Sequence, residues 1–225
     1  MVVKLNKLAL FKNLSAEEIA LVIRVAIEKH YFKRETVFLE GDESDGLYIV
    51  VSGLIKIIKL HGDGREKTLY LIREGDVIGE MTIVGSSLRS ATAVIVRPSK
   101  VIKFPGKNFQ KLMSDIPVLA TNIIEILSER LRNANYQIES LSFLNARSRV
   151  IYNLVHLVRE KGKAGQGETA IIPRLSQSEI ANLCGVSRQL VNKVLNELRL
   201  GGLIEIAPKH ILILDLDGLR QLLLR

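Results

Sequence analysis

The chain has a single cysteine, Cys184, in 225 residues, so it cannot form an intrachain disulfide. Its unbroken apolar runs are only a few residues long, too short for a membrane-spanning helix. Lys4, Lys7 and Lys12 interrupt the apolar residues of "MVVKLNKLALFKNLSAEE", which argues against a secretory signal. These absences point to a cytoplasmic protein with no membrane partner. Signatures of catalysis are also missing: paired carboxylates with a plausible site, a metal-spaced His or Cys cluster, a nucleophile motif. His30, His61, His156 and His210 are scattered along the chain. The glycine-rich "KGKAGQGE" lacks the Gly-Lys-Ser/Thr ending of a phosphate loop and reads as a flexible connection. The expectation is a protein that is not an enzyme and holds no metal.

What is present falls into three parts. From Val37 to Phe104, short β-branched runs ("GLYIVVSG", "LIKIIKL", "KTLYLI", "ATAVIV") alternate with glycines, and "HGDG" marks a hairpin. This predicts a β-sandwich or roll. Before it, "SAEEIALVIRVA" predicts a helix capped by Ser15, with Glu18 closing a capping box. From Asp115 to Asn145, Ile124, Leu127, Leu131, Ala134, Ile138 and Leu141 follow a 3-4-3-4-3 spacing. That is the seam of a two-helix coiled coil, hence of a homodimer, or else one face of a helix lying on the β-domain. Residues 146–225 are helical and end in a hairpin, with "ILIL" pairing "LIEI" across "APKH". They hold 12 Lys and Arg against 7 Asp and Glu, the larger share of a net charge of +8, which suits a polyanion partner.

"LSQSEIANLCGVSRQLVNKVLNEL" predicts two helices joined by a tight turn. Ser176 caps the first, with Glu179 three residues on, Ala181 permits a close crossing, Gly185 makes the turn and Ser187 caps the second helix. Leu190, Val191, Val194, Leu195 and Leu198 point inward. Arg188, Gln189, Asn192 and Lys193 share the outer face. Two cations and two amides with no acid suit phosphates and base edges in the major groove of double-stranded DNA.

The stretch "GEMTIVGSSLRSAT" sets Glu80 and Arg89 among small residues. A carboxylate can accept from a sugar hydroxyl and an arginine can fork onto a phosphate. Gly79 lets backbone N–H groups approach, and Ser90 adds a donor. A phosphorylated sugar fits all four, and a structural Glu80–Arg89 ion pair fits the composition equally well.

"VIGEMTIVGSSLRSATAVIV" resembles the phosphate-binding cassette of cyclic-nucleotide-binding domains. The recognition helix, the hairpin wing and "SLSFLNARSRV" resemble the cyclic-AMP receptor protein/fumarate-nitrate reductase regulator (Crp/Fnr) superfamily. The resemblance covers nearly the whole chain. It implies an α+β fold with a cyclic-nucleotide-binding, jelly-roll-like β-roll over residues 1–114. A long dimerisation helix and hinge follow over 115–145, then a winged helix-turn-helix over 146–225. It implies a transcription regulator that binds a palindromic site as a homodimer, contacts RNA polymerase, and takes cyclic AMP or another cyclic nucleotide as effector, with no covalent cofactor. Carried over, Glu80 takes the ribose 2′-hydroxyl, and Arg89, Ser90 and the Gly79 backbone hold the cyclic phosphate. Ala134 and Asn135 stand where the family's adenine contacts, a Thr followed by a Ser or Asn, would be. Phe143 and Leu144 form the hinge. Ser176, Ser187, Arg188, Gln189, Asn192 and Lys193 face DNA. Gln189 and Lys193 replace the family's Glu and Arg, which predicts a changed preference within a half-site related to TGTGA. Two other readings use the same residues: a nucleotide-binding module controlling a partner enzyme, and a DNA-binding protein whose β-roll is vestigial.

Overall fold

A computed structural model describes residues 8–85, 88–161, 163–164 and 169–223. The chain divides into two compact units, Met1–Asn133 and Ala134–Arg225. Most of "KGKAGQGE" lies outside the described residues, apart from a short strand noted below.

The first unit opens with a 3-10 turn (Ala9–Phe11) and helix α1 (Ala16–Arg24). Ser15 accepts from the Glu18 N–H while the Glu18 carboxylate accepts from the Ser15 N–H, so the expected capping box is formed. Strands β1 (Ile27–Tyr31), β2 (Thr36–Phe38), β3 (Gly46–Leu60), β4 (Glu66–Arg73) and β5 (Val77–Ile78) follow, then the one-turn helix α2 (Met81–Val84) and strand β6 (Thr92–Pro105). All pairings are antiparallel, in the order β1-β6-β3-β4, with β2 also on β6 and β5 on β3.

Successive strand residues face opposite sides, and both sides of β3 are covered. Leu47 and Ile49 join Leu10, Phe11, Ile19, Phe104, Phe109 and Leu119 in one core cluster. Tyr48, Val50, Ile55 and Ile57 join Ile72, Ile78, Ala93 and Val101 in another. The two runs expected here are one bent strand. Gly53 adopts φ +109°, and a Cβ there would lie 2.6 Å from Pro98 O. The Ser99 hydroxyl accepts from the Leu54 N–H at 3.2 Å, so the ladder shifts register at this point without ending.

Helix α3 (Gly106–Asp115) stops at Ile116, and Pro117, suited to a first helical position, starts α4 (Pro117–Phe143). Asn122 donates from α4 to the carbonyls of Leu10 and Lys12, tying the helix to the N-terminal turn.

The second unit contains α5 (Ala146–Lys161), β7 (Lys163–Ala164), β8 (Ala170–Pro173), α6 (Gln177–Cys184), α7 (Arg188–Leu200), β9 (Ile204–Ile206), β10 (His210–Ile213) and α8 (Leu216–Gln221). Its sheet runs β7-β8-β10-β9. The final hairpin pairs Ile211 with Ile206 and Ile213 with Ile204, as expected for "LIEI" and "ILIL". Helices α5, α6 and α7 bury Val150, Ile151, Leu154, Ile180, Ala181, Cys184, Val191, Val194, Leu195 and Leu198. Leu190 is only half-buried, at the edge of the inward face assigned to it.

Candidate functional site

In the first unit the turn between β5 and α2 brings Glu80 inside, and the segment before β6 does the same for Arg89. Their exposures are 6% and 3%. Gly79 has φ +84°, a conformation that favours glycine, and a Cβ there would collide with the Arg89 guanidinium. Close approach of backbone and guanidinium is therefore built into this position.

Glu80 and Arg89 are each paired elsewhere, which replaces the structural-pair reading. Arg89 Nη2 donates to Asp45 Oδ1 at 2.8 Å and to Gly46 O at 2.7 Å, and Nη1 donates to Thr82 Oγ1 at 3.0 Å. The guanidinium carbon lies 4.1 Å from the Phe38 ring centroid. Nε is buried and has no hydrogen-bond partner. Asp45 also accepts from Lys103 at 2.5 Å and from the Tyr48 hydroxyl. Burial raises the Asp45 carboxyl, but the donors from Lys103, Tyr48 and Arg89 outweigh it and hold the group below its ordinary value.

Glu80 has Arg130, on α4, as its ion-pair partner, with Nε 3.6 Å from Oε1. Arg130 also donates to Val77 O at 3.0 Å and lies over the Tyr70 ring at 4.8 Å. Burial pushes the Glu80 carboxyl above its ordinary value, against the opposing pull of Arg130. Ser90 is exposed, and its hydroxyl donates only weakly, to Met81 Sδ at 3.5 Å.

Asp45, Thr82, Tyr70 and Arg130 were not singled out from the sequence. Asp45 lies 44 residues from Arg89 along the chain, and only the folded sheet brings them together. Arg130 had a signal: it continues the spacing Leu119, Ile123, Ile126 along one face of α4.

The seam residues lie on a single helix. Ile124, Leu131, Ile138 and Leu141 are more than half exposed in the single chain, whereas Leu127 and Ala134 are half-buried. Asn135 is exposed. At the end of α4, Phe143 is 83% exposed and Leu144 is half-buried. Arg149 donates to Leu144 O at 3.3 Å, to Cys184 O at 3.1 Å and to Gly185 O at 3.3 Å. It thereby joins the hinge segment to the C-terminal carbonyls of α6.

In the second unit, Ser176 closes a capping box with Glu179, Gly185 takes the left-handed cap with φ +63°, and Ser187 accepts from the Leu190 N–H. Ser176, Ser187, Arg188, Gln189, Asn192 and Lys193 are all exposed. Asn192 Oδ1 accepts from Gln177 at 2.9 Å and from Asn196 at 3.3 Å. With its oxygen engaged by both amides, Asn192 presents its NH₂ as a donor. Lys209, exposed in the turn between β9 and β10, adds a cation that sequence reasoning did not single out.

The described residues hold no helix long and apolar enough to cross a membrane and no cluster suited to a metal ion. Residues 28–115 match the sequence model of the cyclic nucleotide-binding domain, and residues 148–222 that of the Crp-like helix-turn-helix domain. A cyclic AMP receptor protein of Thermus thermophilus is 33% identical over 199 residues, covering 88% of this chain and 89% of that one. A CRP-like cAMP-activated global transcriptional regulator of Mycobacterium tuberculosis is 29% identical over 217 residues, covering 96% and 97%. Among solved structures, the c-di-GMP responsive global regulator CLP of Xanthomonas campestris matches with a TM-score of 0.72 at 27% identity, covering 88% of this chain and 99% of that one.

Proposed function

The chain belongs to the Crp/Fnr superfamily of DNA-binding transcription regulators, whose members are not enzymes, and from that premise we propose that it is a homodimer controlled by cyclic AMP. The observation that carries the effector is Arg89: a guanidinium 3% exposed, with Nε buried and without an acceptor. A cyclic phosphate supplies that acceptor as a charged one, and charge-assisted bonds of this type are the strong ones. Glu80 accepts from the ribose 2′-hydroxyl, and Ser90 and the Gly79 backbone complete the phosphate cradle. The T. thermophilus and M. tuberculosis relatives, named for cyclic AMP, support adenine as the base. The X. campestris regulator is named for c-di-GMP, so effector choice varies within the fold.

The exposed apolar stripe of α4 supports pairing with a second copy, because burying it between two helices removes apolar surface from water. A two-fold dimer presents two α7 helices to half-sites about one helical turn apart, roughly 10 base pairs centre to centre. Arg188 forks onto guanine, Gln189 meets a base edge, and Lys193, Ser176 and Ser187 serve phosphates or guanine. RNA polymerase is the further partner, and the cytoplasm the place of action. Effector binding favours one arrangement of the paired helices, and the hinge at Phe143 and Leu144 passes that bias to the DNA-binding units.

Isothermal calorimetry on the purified protein tests the effector. Cyclic AMP should bind more tightly than its 2′-deoxy analogue, by the worth of one hydrogen bond to a carboxylate, about 1.5–3 kcal/mol. Equal binding of the two would remove Glu80 from the role given to it.

A further inference from the structure

One buried polar group on α4 has no use in the site as described. Leu119, Asn122, Ile123, Ile126 and Arg130 recur at intervals of three and four residues and pack on the first unit. Asn133 is next in that series, three residues beyond Arg130 and so on the same helix face. It is 7% exposed, and its Oδ1 is buried with no hydrogen-bond partner. A buried amide oxygen loses water and gains nothing in return, so such groups call for an explanation.

Its position suggests one. Arg130 lies against Glu80, the group assigned to the ribose. Asn133 follows less than one helical turn on, roughly 5 Å along the axis. That is about the distance by which a base extends past its ribose. We propose that Asn133 reads the base of the bound cyclic nucleotide, its Oδ1 accepting from the exocyclic amino group of adenine. The assignment rests on the cyclic-nucleotide reading of the β-roll and names the specificity residue within it. Unsubstituted purine carries nothing at that ring position and leaves Oδ1 unpaired, whereas the oxygen of hypoxanthine can be met by the amide NH₂ after a flip of the side chain, so purine is the discriminating base. The family resemblance puts Ala134 and Asn135 where the base contacts would be. Ala134 has no polar side chain and Asn135 is exposed, so Asn133 offers a buried contact that neither provides.

The test titrates the protein and an Asn133→Leu variant, calorimetrically, with cyclic AMP and purine riboside cyclic monophosphate. Leucine is close in size and removes the unpaired amide, so the variant should melt no lower than the wild type. The wild type should prefer cyclic AMP over the purine analogue by about five- to tenfold, the worth of one neutral hydrogen bond. The variant should lose that preference and keep its affinity for the purine analogue. Two results would overturn the role of Asn133: a wild type that binds both ligands equally, or a variant that still prefers cyclic AMP. Binding of neither ligand to the wild type would instead overturn the cyclic-nucleotide reading, and this inference with it. Should Asn133→Leu fail to fold, Asn133→Ser, which is shorter and cannot span the same distance, carries the same comparison.

Discussion

Replacing Arg89 with methionine separates the ligand-binding role of this residue from its structural one. The guanidinium is buried and engages Asp45, Gly46 and Thr82. Its loss does not strand the nearest charge, because Asp45 keeps the Lys103 ammonium and the Tyr48 hydroxyl. Methionine fills much of the volume over Phe38, so the unliganded fold should survive. A bound phosphate depends more on Arg89, whose guanidinium lies directly against the Gly79 turn. Leaving a buried charge without its partner costs about 2–5 kcal/mol, a loss of roughly 30-fold to several thousandfold in affinity. Calorimetry with cyclic AMP reads the affinity, and thermal melting without ligand reads the fold. A variant that melts normally and binds within about threefold of the wild type would refute the assignment of Arg89 to the phosphate.

Glu80→Gln tests the cost of holding a carboxylate in this pocket. Because burial raises its pKa in the folded state, Glu80 imposes no penalty below the ordinary glutamate value. Stability falls as pH rises from there through the raised folded pKa, and the penalty is complete above it. The Gln variant should therefore melt higher than the wild type at pH 8, with a gain that vanishes on acidification, while binding cyclic AMP more weakly; a gain that grows toward acid pH would contradict the sign. Leu131→Asp puts like charges at the middle of the proposed seam, and sedimentation should find a monomer; an unchanged dimer would reject the seam. Gln189→Glu exchanges an amide for a group that only accepts, which suits the cytosine amino group. Selection from random DNA should show a new preference for cytosine at that pair, by about 1–3 kcal/mol over the wrong base, and identical motifs would show that Gln189 reads no base.

Local chemistry made much of the molecule legible in the sequence. The capping boxes at Ser15 and Ser176, the left-handed Gly185 and the pairing of "LIEI" with "ILIL" all depend on residues close in sequence, and each forms as expected. The bend at Gly53 was harder to read. Its glycine resembles the end of a strand, but the deciding contacts come from Pro98 and Ser99, more than forty residues away. The candidate site divides in the same way. Gly79, Glu80, Arg89 and Ser90 fall in one short stretch, so their chemistry can be read together. Asp45, Tyr70, Arg130 and Asn133 reach their places only through sheet pairing and helix packing. Arg130 and Asn133 also lie among the seam residues of α4, where polar side chains at such spacing resemble a solvated face. The contacts of Arg130 with Glu80 and Val77 and the low exposure of Asn133 distinguish them from that face.

Effector and DNA should strengthen each other's binding. This coupling is tested most directly by fluorescence anisotropy on a labelled palindromic duplex, titrated at fixed salt with and without saturating cyclic AMP. DNA should bind more tightly with the nucleotide, by about 5- to 150-fold for a coupling of about 1–3 kcal/mol. Cyclic AMP should in turn bind more tightly to the DNA-bound protein by the same factor. DNA affinity that is equal with and without every cyclic nucleotide tried would contradict it.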